Sequence, residues 1–244
     1  MGPSGHADAP SVVLLHGAGA NARIFDDVTG GLPGVEVHAL SYPGRAGEPG
    51  PLLRDIDSLV DWTDARVAAL GLMDVMLVGH SLGTAVAVGV AWRMLRRGTA
   101  RVHSVMMLST PTRPAAVHAV AGLWRSAVLR GEAAHVRAMG FLPNAPAHLV
   151  EQTQRIEGNT PADAILADWD VAVSIGDRRP PAMPVPLHFV SGALDRMGPE
   201  ADLRAWAGAL PCASVELWPG VGHRTDVTEA PRVAQKIRDL LRLA

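Results

Sequence analysis

A single cysteine, Cys212, in a chain of 244 residues excludes an internal disulfide, and a lone thiol makes neither a zinc site nor a redox pair. That usage fits a reducing cytoplasm, where Cys212 is expected to be an inert, packed side chain. Long apolar runs are missing too: none reaches the roughly 18 residues that a bilayer crossing requires, so no membrane span is expected. Met1 to Asp8 lack the basic and apolar regions of a secretion signal, and His6 stands where myristoylation needs Ser or Thr. Charge of one sign is absent. The formal net charge is -2 and the pI about 6.5, and no basic cluster exceeds Arg96-Arg97 or Arg178-Arg179, which argues against a nucleic-acid partner. No grouping of His, Cys, Asp or Glu has metal-ligand spacing, so neither a metal nor another cofactor is expected. Internal repeats and long low-complexity segments are not found, and nothing in the chain bears on its oligomeric state.

A hydrophobic content of 48% is enough for one sizeable core, in a single domain with an insertion. Short apolar runs alternate with helical patterns, the signature of a mainly parallel sheet covered on both faces. Six strands are expected, near Val12 to His16, Val35 to Leu40, Val75 to Val78, Val102 to Leu108, Leu187 to Ser191 and Ser214 to Trp218. Helices fit Ala22 to Gly31, Ile56 to Leu70, Leu82 to Arg96, Glu200 to Ala209 and Ala230 to Leu243, with Pro231 tolerated in the first turn of the last. Between Pro111 and Pro184 the alternation stops. Helical patterns around Ala115 to Arg130, Glu132 to Met139 and Ala162 to Val173, without a strand, mark residues 111–183 as an inserted helical lid on a core of 1–110 and 184–244.

Gly79-His80-Ser81-Leu82-Gly83 directly follows the run Val75-Met76-Leu77-Val78 and reads as a nucleophile elbow. In such a strand-to-helix turn the residues two before and two after the serine must be small, and both are glycines. Thr84 to Leu95 continues as an apolar helix that ends in Arg96-Arg97-Gly98, with cations and glycine where a helix C-terminus favours them. A serine at the start of that helix faces free backbone N–H groups and the positive end of the helix dipole. The first strand ends in His16-Gly17-Ala18-Gly19, so backbone N–H groups of Ala18 and Leu82 are candidates for an oxyanion hole. A rival pattern overlaps it: Gly17-Ala18-Gly19-Ala20-Asn21-Ala22 also fits a dinucleotide fingerprint, which would make the chain an NAD(P)-dependent oxidoreductase. That fingerprint expects an acid at the end of the next strand, where Leu40-Ser41 stands instead.

A serine nucleophile needs a base and an orienting carboxylate. Leu187 to Ser191 runs into Gly192-Ala193-Leu194-Asp195, and Ser214 to Trp218 runs into Pro219-Gly220-Val221-Gly222-His223. Ser81, Asp195 and His223 thus follow one another in the chain order of a strand-end triad. With His-Gly-x-Gly, Gly-His-Ser-Leu-Gly, Ser-Gly-x-x-Asp and Gly-x-Gly-His in order, each after an expected strand, the chain resembles the α/β-hydrolase superfamily over nearly its whole length apart from the lid. The resemblance implies an α/β-hydrolase fold and a serine hydrolase with Ser81 as nucleophile, His223 as base and Asp195 as acid. Only about ten residues precede the first strand, where many members carry two more strands, which implies a sheet shortened at that edge. Some members carry the acid after the strand before the lid, but Ser109-Thr110-Pro111-Thr112 has no carboxylate.

Other polar residues are assigned lesser roles. His16 and His80 are expected to orient turns, His103 and His188 to be strand residues, and His118, His135 and His148 to be solvated in the lid. Asp226 is expected to be a cap or surface charge, and Asp170 and Asp177 to make structural contacts. The lid is apolar, and Trp124, Met139 and Phe141 are candidates for lining an acyl pocket. Leu32 to Val37 followed by Tyr42-Pro43-Gly44-Arg45 is similar to a segment of type II thioesterases, whereas the C-terminal motifs are similar to those of lipases and esterases. Hydrolysis of a small hydrophobic carboxylic ester is therefore the first expectation and of an acyl thioester the second. A non-hydrolytic lyase or a binding protein on the same fold is the third.

Overall fold

The computed structural model describes residues 9–45 and 47–242. Its centre is a six-stranded, wholly parallel sheet in the order β2-β1-β3-β4-β5-β6. The strands are β1 (Ser11–Leu15), β2 (Val37–Leu40), β3 (Asp74–His80), β4 (Arg101–Leu108), β5 (Leu187–Gly192) and β6 (Ala213–Trp218). All six lie where the alternation of apolar runs places them. The central strands are buried on both faces because helices cover both. Val13, Leu15, Val75, Leu77 and Met107 face α2 (Ile56–Ala69) and α3 (Leu82–Arg97), while Val12, Leu14, Met76, Val78 and Met106 face α1 (Asp26–Gly30) and α10 (Ala230–Arg242). The edge strands β2 and β6 are mostly half-buried.

The expected helix over Ala22 to Gly31 is divided into a 3-10 turn, Ala22–Phe25, and α1, because the Asn21 side chain caps the turn by accepting from Arg23 N–H. Between β4 and β5 stand four helices: α4 (Pro114–Leu129), α5 (Ala133–Met139), α6 (Ala147–Glu157) and α7 (Ala162–Ile175). Sequence patterning finds three of them and misses α6, whose only buried residues are Thr153, Ile156 and Glu157. Trp124 and Ala127 from α4, Val136 from α5, and Ile165 and Trp169 from α7 form a separate apolar cluster that also takes in Met197. Two short elements complete the chain, α8 (Glu200–Gly208) and α9 (Thr225–Thr228). Cys212 is exposed, not packed, because it precedes the half-buried edge strand β6. Among the described residues, no helix is long and apolar enough to cross a membrane.

The order β2-β1-β3 reverses direction at β1. In open parallel sheets the crevice at such a reversal, beyond the carboxyl ends of the strands, is where ligands bind. The loop after β1 and the turn after β3 meet there.

Candidate active site

Ser81 terminates β3 and precedes α3, with φ 52° and ψ -117°. A non-glycine residue in this region stores about 1–3 kcal/mol of strain, which surrounding packing must hold. The two flanking glycines explain how. A Cβ on Gly79 would lie 2.1 Å from the Gly83 carbonyl oxygen, and one on Gly83 would lie 2.2 Å from that of Leu15, so strand, turn and helix pack backbone to backbone. Ser81 N–H donates to Leu108 O at 2.9 Å, and the serine is 7% exposed.

Asp195 and His223 arrive from the ends of β5 and β6. Their loops are drawn together at Gly192, where a Cβ would fall 2.2 Å from Val221 O, and by Leu194 N–H donating to that oxygen at 2.9 Å. One Asp195 oxygen accepts from Met197 N–H at 2.9 Å; the other accepts from Ser191 Oγ at 3.2 Å and lies 2.9 Å from His223 Nδ1. The far nitrogen, His223 Nε2, is 3.1 Å from Ser81 Oγ. The three side chains named by motif order therefore form one continuous hydrogen-bonded line. Burial works against charge on His223, yet the Asp195 carboxylate and its hydrogen bond, with Asp226 behind, leave the imidazole above its ordinary pKa. Burial likewise opposes ionisation of Asp195, but His223 and the donors around it hold the carboxyl below its usual range. The two shifts have one cause: an ionised Asp195 and a protonated His223 stabilise each other.

The loop after β1 passes directly over the serine: a Cβ on Gly17 would come within 3.2 Å of Ser81 Cβ. Ala18 in this loop and Leu82 at the start of α3 thus flank Ser81, where backbone donors can face an oxyanion. His16 secures the loop. Its Nδ1–H donates to Gly17 O at 2.8 Å and its Nε2 accepts from Tyr42 N–H at 3.3 Å, and burial lowers its pKa to about 3. His80 donates from Nε2 to His223 O at 2.9 Å and is lowered by burial to about 4. Both rings are neutral and orient backbone, as their motif positions suggest.

Four charged groups escaped the sequence. Asp168, from α7, accepts from Gly19 N–H at 2.9 Å and pairs with Arg45, and neither side chain has any exposed surface. Burial lifts the Asp168 carboxyl to about 6, against the pull of Arg45 and of the Gly19 amide. Behind His223, Arg224 grips Asp226 through Nε and Nη2, each at 3.1 Å, and reaches Glu157 of α6 at 3.0 Å. Asp226 is 1% exposed, so it is not the cap or surface charge expected: it neutralises Arg224 behind His223. Its carboxyl is opposed by burial but held below the ordinary range chiefly by Arg224. His118, His135 and His148 are exposed, and Asp170 pairs with Arg125 on the surface.

A cavity of about 430 Å³ opens on Ser81 and His223, and Trp124, Met139 and Phe141 all line it. A second, of about 240 Å³, is also lined by Ser81 and runs along α3. Among the described residues, no group of three or more His, Cys, Asp or Glu side chains could hold a metal ion. The loop after β1 turns into a 3-10 helix instead of a long helix, and Asp168 occupies its Gly19 amide. A pyrophosphate would need that amide free, so the dinucleotide pattern finds no support here.

A model of the alpha/beta hydrolase family matches residues 12–235. A pimeloyl-[acyl-carrier protein] methyl ester esterase of Aromatoleum aromaticum is 29% identical over 262 aligned positions, covering 96% of this chain and 98% of that one. A probable cadicidin biosynthesis thioesterase of Streptomyces griseus is 34% identical over 94 residues, which is 38% of this chain and only 26% of its own length. Among solved structures, an esterase from Exiguobacterium antarcticum superposes with a TM-score of 0.82 at 16% identity, covering 96% of this chain and 92% of that one.

Proposed function

The chain belongs to the alpha/beta hydrolase family, and on that footing we propose that it is a serine hydrolase cleaving a carboxylic ester through Ser81, His223 and Asp195. The observation that carries this is the unbroken line from Ser81 Oγ to His223 at 3.1 Å and from His223 to Asp195 at 2.9 Å. His223 Nε2 takes the Ser81 proton as Oγ bonds to the acyl carbonyl carbon, and the carbonyl oxygen becomes an oxyanion facing the N–H groups of Ala18 and Leu82. The carbon–oxygen bond of the ester then breaks, and the leaving alcohol takes the proton from His223. Water gives a proton to the same nitrogen as its oxygen attacks the acyl-Ser81 carbonyl carbon; the bond to Ser81 Oγ then breaks, Oγ takes that proton back from His223, and the acid leaves. Asp195 stays ionised and holds the imidazolium. In this reading residues 111–183 form the covering insertion, and Trp124, Met139 and Phe141 bound the space for the substrate.

The same residues would cleave a thioester, with a thiol as leaving group. This second reading is favoured by the Tyr42-Pro43-Gly44-Arg45 turn and by the partial likeness to a biosynthetic thioesterase. Labelling with a fluorophosphonate, read by intact mass and peptide mapping, tests the common chemistry. One adduct on Ser81 that disappears in Ser81→Ala and His223→Ala is the expected result; an adduct elsewhere, or none on folded protein, overturns it. Turnover of matched oxygen esters and thioesters then separates the two readings.

A further inference from the structure

Among the described residues, two that line the Ser81 cavity, Arg137 and Trp169, each carry a buried side-chain donor with no hydrogen-bond partner, Nε and Nε1 respectively. Arg137 is 8% exposed and Trp169 7%. Glu157 lies 3.8 Å from Arg137 Nε, beyond hydrogen-bond reach, and an indole N–H can only donate. Buried donors are seldom left unpaired, because each loses its water without replacement. These two belong to different helices, α5 and α7, yet both pack on one ring. The Arg137 guanidinium lies 5.6 Å from the Trp124 ring centroid, and the Trp169 ring stacks on Trp124 at 6.3 Å.

From this pairing we infer that the cavity takes an acyl chain carrying an oxygen acceptor along its length, held by Arg137 and Trp169, in preference to a plain hydrocarbon chain. This rests on the proposed esterase or thioesterase chemistry for its catalytic step and extends it to the substrate's acyl part. Local charge decides what kind of oxygen. Arg137 and Arg224 are matched by Glu157 and Asp226 within the same wall. A carboxylate would add an uncompensated buried charge to this balanced set, whereas a ketone carbonyl satisfies a donor and adds none. The ligand class is therefore an oxo-acyl ester or thioester.

The test compares para-nitrophenyl decanoate with para-nitrophenyl oxodecanoates whose ketone moves one carbon at a time, and with the para-nitrophenyl monoester of decanedioic acid. For at least one ketone position kcat/KM should exceed that of the plain chain by about tenfold, the scale of a hydrogen bond in a dry site. Trp169→Phe keeps the ring and removes the donor; it should lower the ratio clearly, whatever happens to the absolute rates. Arg137→Met should reduce the ratio in the same direction. Equal rates along the whole series, a ratio untouched by Trp169→Phe, or a preference for the carboxylate-ended chain overturns the inference. A folded protein that hydrolyses none of these esters defeats the catalytic reading instead. Calorimetric titration of Ser81→Ala with the oxodecanoic and decanoic amides then still decides the recognition, by the same ratio of affinities.

Discussion

Asp168→Leu would leave the Arg45 guanidinium buried without its carboxylate and the Gly19 amide without its acceptor. Breaking a buried pair by removing one partner costs about 3–5 kcal/mol. Arg45 keeps hydrogen bonds to the carbonyl oxygens of Pro43 and Ala164, which favours the lower end of that range. For a chain of this size each kcal/mol lowers Tm by about 2–4 °C, so a fall of about 6–12 °C is expected. Gly19 adjoins Ala18, and a loop displaced there by an ångström can cost on the order of 100-fold in rate. The double variant Arg45→Met/Asp168→Leu removes both charges and should regain most of the Tm, because an apolar pair can replace a buried ion pair at little cost. It should not regain activity, since the Gly19 N–H still lacks an acceptor. The pH profile supplies a second check. With the Asp168 carboxyl at about 6 in the fold and about 3.9 in the unfolded chain, the folded state binds the proton more tightly, so wild-type stability falls as pH rises through that window. The double variant should lose this slope. Calorimetric melts and ester turnover on the three proteins decide the matter; a single variant melting within about 2 °C of wild type, or a double variant with restored turnover, refutes the clamp.

Four further outcomes are expected. Asp195→Asn should lower kcat by about 10⁴ with the fold intact, as measured by steady-state hydrolysis and circular dichroism, because the wrong imidazole tautomer then faces Ser81; a loss under tenfold would point to another acid. His223 must be neutral to accept a proton, and its pKa stands above the ordinary histidine value, so the acid limb of kcat/KM should fall at a higher pH than that value. Asp226→Asn removes one of the charges holding the imidazolium and should move this limb to lower pH, while an unmoved limb would deny the coupling. Gly83→Ala places a Cβ 2.2 Å from Leu15 O and should cost at least about 1–3 kcal/mol, seen as a lowered melting temperature; a melt equal to wild type would mean that the elbow is loose.

Most of what positions the site was legible in the chain because it rests on local signals. Apolar runs of strand length, glycines at an obligate close approach, and a Ser, an Asp and a His at three strand ends each announce themselves within about five residues. All six strands and the line from Ser81 to Asp195 follow from them. The misses are of another kind. Asp168 and Arg45 are 123 residues apart, and Glu157 meets Arg224 from a helix whose polar outer face hides its few inward positions. Neither has a periodic or motif signal, because a buried ion pair is specified by tertiary distance alone. Asp226 was misjudged for the same reason: three residues after His223 it looks like a helix cap, and only the position of Arg224 turns it inward.

The two hidden pairs alter how the segment between β4 and β5 must be understood. A covering segment could rest on the sheet through apolar contacts alone, and shifting it would then leave the catalytic groups where they are. Here α7 is tied to the loop after β1 through Asp168 and Gly19 N–H, and α6 is tied beneath the histidine loop through Glu157 and Arg224. Asn21 adds a third tie, donating to Ile156 O at 3.0 Å. Buried charges cannot part without leaving one another unpaired, so these links resist sliding far more than apolar contacts of the same area. The helices α6 and α7 therefore brace the loop of Ala18 and Gly19 and the loop that carries His223. Arg137 of α5 joins the same network, donating through Nη2 to Glu157 O at 3.1 Å, which leaves α4 as the helix of the segment without a buried charge. The largest exposed apolar side chains of the segment, Leu123, Leu129 and Met139, lie on α4 and α5, and Met139 lines the cavity that opens on Ser81. The buried ties thus join α5, α6 and α7 to the loops that carry Gly19 and His223 and leave α4 held by apolar packing and a surface ion pair.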